Sequence, residues 1–136
     1  PMENQRAVRA ALVEAKAVLA FSNRVSPAPY THPTREYLTG RWMDALAAGC
    51  LVAGAAPETA ELLLWPGATV EISSRSRDDA WPVLVEAARG WTAATAAAQQ
   101  RRARQTVDWR HRLRRLVEVM GWPESPQLSA EIRRLH

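Results

Sequence analysis

A chain of 136 residues, 47% apolar and 24% charged, is long enough to bury one core and has the composition of a globular domain, which excludes wholesale disorder. Its longest apolar stretch, residues 45–56, is interrupted by Gly49 and Gly54 and is too short to span a bilayer as a helix. The net charge of +4 rests almost wholly on arginine, since Lys16 is the only lysine; guanidinium pairs with phosphate through two parallel hydrogen bonds, which suits anionic ligands or surfaces, while a GC-rich gene, with its abundance of Ala and Arg, accounts for the same preference and is the first expectation.

In chain order, residues 8–15 carry helical spacing, with Val8, Ala11, Leu12 and Ala15 on one face. They lead into the short apolar run 17–21, which reads as a buried strand. Residues 22–34 hold Pro27, Pro29 and Pro33, whose locked φ and missing N–H exclude regular structure; a loop of this length is commonly functional. Thr34 is the predicted N-cap of a helix running from Arg35 through Trp42 and Leu46 to Gly49, its C-terminal stop. A second buried strand, 50–53, precedes a short helix opened by Pro57-Glu58 and closed by Trp65-Pro66-Gly67. Residues 68–72 read as a third strand. Asp78-Asp79 is the predicted cap of a helix with Pro82 in its first turn, ending at Gly90. From Trp91 to Met120 the pattern is helical and Arg-rich, two helices meeting near residues 106–108, and a last helix follows Ser125-Pro126.

Helices alternating with continuous apolar strands predict an α/β fold: a three-layer, Rossmann-like parallel sheet of about three strands, covered on both faces, with residues 91–136 as a helical C-terminal subregion. So small a parallel sheet leaves edges that must be paired, which predicts either a missing N-terminal region or a partner chain, a second copy included. The one cysteine, Cys50, sits in an apolar run and is expected in the core. The first residues lack the basic and apolar regions of a secretory signal, so the expected compartment is the cytoplasm.

The segment 35–52 carries the most information. Glu36 and Asp44 are separated by seven residues, and Asp44-Ala45-Leu46-Ala47-Ala48-Gly49 continues into the second strand. This arrangement resembles the donor-site helix of GT-B glycosyltransferases, and Arg41-x-x-Asp44 is similar to the Arg-x-x-Glu of bacterial family-one-like members related to spore-maturation glycosyltransferases. Residues 16–22, the segment from Ala56-Pro57-Glu58, Gly67 before the third strand, and Trp109-x-x-Arg112 extend the resemblance in order from about residue 7 to 120. It implies that the whole chain, 1–136, is one domain corresponding to part of a GT-B C-terminal domain. It further implies a nucleotide-sugar as substrate, with no separate cofactor and no metal, and donor contacts from Glu36, Asp44, Arg41, Arg35, Tyr37, Leu38 and Thr39; no residue is assigned a catalytic role.

Eight residues make a little over two helical turns. Were Glu36 helical, the two carboxylates would share a face about 12 Å apart. Were it in a loop before the helix, as the resemblance implies, it would meet sugar hydroxyls while backbone N–H groups meet the diphosphate, and Asp44 would accept from the ribose hydroxyls. The resembling enzymes usually carry Glu at the second position; Asp44 is one methylene shorter, a displacement of about 1 Å at the ribose. The alternative for both is two solvated helix charges, Asp44 pairing with Arg41.

His32 is a candidate sugar contact or general base, or an exposed loop residue. His111 reads as a helix-surface residue, and no second histidine or cysteine stands at metal-ligand spacing. Ser22, Ser26 and Ser73 lack a nucleophile-elbow context. Trp42, Trp81, Trp91 and Trp109 are expected in helices, packed into the core, with a stacking platform for a nucleobase as the alternative. The glycine-rich phosphate loop of a complete donor domain is absent, so this chain alone is expected to lack transferase activity and to transfer a hexose only when joined to the missing region. A different class of function is a non-catalytic basic module, with Arg101, Arg102, Arg104, Arg110, Arg112, Arg114 and Arg115 meeting an anionic membrane surface or nucleic acid, the latter the weaker expectation.

Overall fold

The apolar runs form three parallel strands, β1 (Ala17–Leu19), β2 (Leu51–Gly54) and β3 (Thr69–Glu71), in the spatial order β1-β2-β3. The computed structural model describes residues 2–25, 27–72 and 76–136. Register is set by Val18 opposite Val52 and by Ala53 opposite Val70. All residues of β2 are buried although successive side chains point to opposite faces, so both faces of the central strand are covered. The helices are α1 (Met2–Glu14), α2 (Gly40–Ala48), α3 (Arg77–Gly90), α4 (Ala93–Thr106), α5 (Trp109–Val119) and α6 (Pro126–Arg133). The predicted α/β class, the three-strand parallel sheet and the helical C-terminal region are all present.

The core is built where α2 lies on the sheet. Trp42, Ala45 and Leu46 of α2 meet Ala20, Cys50, Val52 and Ala68, while Ala103 and Val107 close the cluster from α4. Trp42 is 0% exposed, and burying an indole of about 200 Å² is worth about 5 kcal/mol. Cys50 is in the core as expected; its Sγ lies 3.2 Å from the Leu12 carbonyl and 3.3 Å from that of Ala15, and burial raises the thiol pKa.

Polar side chains of α4 fasten this layer. Gln99, itself buried, donates to the Ala68 carbonyl at 2.8 Å, and Gln100 donates to that of Ala48 at 2.9 Å. Gly49 ends α2 at φ 82° with its N–H on Leu46, and a Cβ there would stand 2.9 Å from the Ala96 carbonyl oxygen. Only glycine satisfies both the left-handed conformation and that close approach. At the C-terminal end, Asp108 caps α5 and Arg110 bridges Asp108 (2.7 Å) to Glu131 (3.2 Å) of α6. The Arg110 side-chain hydrogen bond is the main cause that holds the Asp108 carboxyl below its ordinary pKa.

Four local expectations require correction. Thr34 is not a helix cap: α2 begins five residues later than expected, with Thr39 as its N-cap. The segment after Pro57 is a 3-10 helix, Glu58–Leu62, closed by the Leu63 N–H on the Ala60 carbonyl. Helix α3 is capped by Ser76 rather than by Asp78-Asp79, which lie inside its first turn, and this earlier start puts Pro82 in the second turn. Of the tryptophans, Trp42 is core; Trp81 and Trp109 are exposed, because the helical faces that bear them have no layer against them. Trp91 lies between α3 and α4, half-buried, with its indole N–H on the Gly49 carbonyl at 3.1 Å.

Candidate functional site

The loop between β1 and α2 is organised by two buried polar residues at the carboxyl end of β1. Asn23, 1% exposed, donates to the carbonyls of Arg35 (2.8 Å) and His32 (3.3 Å) and accepts from the Tyr37 N–H (2.8 Å). Ser22, fully buried, donates its hydroxyl to the Glu36 carboxylate. The return limb of the loop is thereby clamped to the strand, and Glu36 is held beside the N-terminus of α2. Backbone groups of Arg35 and Tyr37 are occupied by Asn23 and are not in a helical ladder, so Glu36 belongs to the loop and the arrangement of both carboxylates on one helix face is excluded.

His32 is an exposed residue whose ring organises the loop. Its Nδ1 accepts from the N–H groups of Thr34 (3.2 Å) and Arg35 (3.0 Å), so the ring shapes the loop and its neutral form carries the proton on Nε2. An exposed Nε2–H suits donation to a hydroxyl and not proton abstraction. A concavity of about 300 Å³ runs between Asn23, Arg24, Ala28, Thr31 and His32.

Asp44 occupies a second, larger concavity. It is exposed on α2 and lines a groove of about 760 Å³ between α1 and α2, with Arg6, Arg9, Asn4 and Gln5 from α1, Gln100 from α4, and an apolar floor that includes Leu12 and Ala47. Glu36 is outside that groove. No ion pair joins Asp44 to Arg41 among the described residues. Of the remaining predicted donor residues, Arg35, Tyr37 and Arg41 are exposed, Leu38 packs against the core and Thr39 caps α2 through its backbone without a side-chain cap.

Among the described residues no group of three His, Cys, Asp or Glu side chains converges on a metal position, and no helix is long and apolar enough to cross a membrane. Ser26 and Ser73 lie outside the described residues.

The two residues that sequence reading undervalued are Ser22 and Asn23. Their signal is position: polar side chains directly after a buried strand, ahead of a proline-rich loop whose backbone must find partners away from water. Compared with known sequences, residues 3–118 match a family described as glycosyl transferase-like. No match emerged among curated proteins or among solved structures.

Proposed function

The chain belongs to the glycosyl transferase-like family, and on that premise we propose that it is the nucleotide-sugar-binding part of a GT-B-type glycosyltransferase, close to the bacterial spore-maturation-type members. The observation that carries the reading is the Glu36 carboxylate, fixed by buried Ser22 at the carboxyl edge of the sheet, where parallel α/β folds take their ligands. Next to it the first turn of α2 has no side-chain cap, which leaves backbone N–H groups and the positive end of the helix dipole for a diphosphate. Glu36 accepts from hydroxyls of the hexose, with Nε2–H of His32 as a donor nearby in the same loop. Asp44 accepts from the vicinal hydroxyls of the ribose, a pairing favoured by a carboxylate that makes no salt bridge among the described residues. Arg35, Arg41 and Tyr37 present cationic and hydroxyl groups around the same turn. Transfer of the hexose to an acceptor proceeds when an acceptor-binding region is joined to this domain.

Isothermal titration with UDP-, GDP- and TDP-sugars tests the reading, with Glu36→Ala and Asp44→Ala as variants. One nucleotide-sugar is expected to bind and to raise the melting temperature. Each variant should weaken it about ten- to hundred-fold, the equivalent of losing charge-assisted hydrogen bonds of about 1.5–3 kcal/mol. No binding by any of the three classes, or variants that bind as well as the wild type, would overturn it.

A further inference from the structure

Helix α5 carries an apolar stripe that stands about half or more exposed among the described residues. Trp109, Leu113, Leu116 and Met120 follow one another at intervals of four, three and four residues, so at 3.6 residues per turn they fall within about 60° of arc. They are 70%, 48%, 50% and 51% exposed, Val119 and Trp122 at the same end are exposed too, and α5 has no buried residue. On the side of α5 turned to the protein, Arg110 reaches Glu131 of α6 and His111 Nε2 meets the Arg104 carbonyl at 3.0 Å, with Val117 half-buried on the same face as Arg110. The amphipathic helix is therefore mounted with its apolar side outward, the reverse of a helix that serves a core.

One flank carries positive charge. Arg112 borders the stripe with its guanidinium 5.2 Å above the Trp109 ring, whereas Arg114 and Arg115, on the far side of the helix, both pair with Glu118. Across residues 93–122, seven arginines against Asp108 and Glu118 leave +5, more than the +4 of the entire chain. The charge of the protein is thus concentrated in residues 93–122, which form α4 and α5.

We propose that α5 docks flat on an anionic lipid bilayer, with Trp109, Leu113, Leu116 and Met120 entering the acyl boundary and the flanking Arg112 meeting a lipid phosphate. An outward apolar face bordered by arginine and tryptophan is the arrangement of an interfacial helix. A second copy fits less well, since packing stripe on stripe brings two segments of +5 together. Nucleic acid would engage the arginines and leave the stripe without a role.

The test is co-sedimentation of the full chain with phosphatidylcholine vesicles, with and without phosphatidylglycerol, across a salt series. The chain should partition to the anionic vesicles, weakening as salt rises, and stay in solution with the neutral ones. Arg112→Gln should lower partitioning about five-fold. Leu113→Ser with Leu116→Ser should lower it at least ten-fold with an unchanged far-UV circular dichroism spectrum, and Leu113→Ala with Leu116→Ala replaces it if folding suffers. Absence of binding to anionic vesicles at low salt overturns the proposal. So does binding that the leucine variants leave intact, or a wild-type dimer in solution that those variants dissolve.

Discussion

Replacing Asn23 by alanine removes the clamp that shapes the β1–α2 loop. The side chain is buried and makes three hydrogen bonds to backbone groups of His32, Arg35 and Tyr37. Each is worth about 1 kcal/mol net, and a buried partner left without water costs more, so the loss should be about 3 kcal/mol, a large part of the 5–15 kcal/mol typical of a domain. Urea unfolding followed by tryptophan fluorescence reads this as a midpoint lower by about 1–2 M. Asn23→Asp separates the contributions. It keeps the acceptor for the Tyr37 N–H but turns both donors into a carboxylate facing two carbonyls, so it should be at least as damaging at neutral pH and partly relieved in acid, when its proton supplies one donor. In both variants the released loop no longer presents Glu36, and nucleotide-sugar affinity should fall further than stability alone explains. A loss below about 0.5 kcal/mol for alanine, with Asp no worse, would refute the clamp.

Two further outcomes follow from the frame around the site. Gly49→Ala forces a Cβ into a left-handed position and against the Ala96 carbonyl, and should lower stability by at least about 1 kcal/mol in thermal or urea unfolding. Asp108 has a lowered pKa through Arg110, so its contribution is present above the unfolded carboxyl value of about 3.9 and is lost as pH falls toward the folded value. Asp108→Asn should therefore reduce stability near neutrality and flatten the acid limb of the stability–pH curve, and an unchanged acid limb would count against the assignment.

Local chemistry alone determined much of this protein. Short apolar runs bounded by turn residues marked all three strands, Gly49 marked the end of α2, and the apolar surroundings of Cys50 marked it as core, because each of these depends on neighbours within a few residues. The acidic pair and its small-residue sequel were legible for the same reason. The start of α2 was not. Residues 35–39 are compatible with a helix, but Asn23, more than ten residues upstream, takes the Arg35 carbonyl that a helical ladder would pair with the Thr39 N–H and ties down the Tyr37 N–H as well, and the helix starts at Gly40. Tertiary structure likewise decided that Asp44 faces a groove built with α1 while Glu36 answers to Ser22, and that the stripe of α5 points outward. A period of 3.6 residues says that a helix has an apolar face; which surface, if any, lies opposite depends on where the rest of the chain has packed.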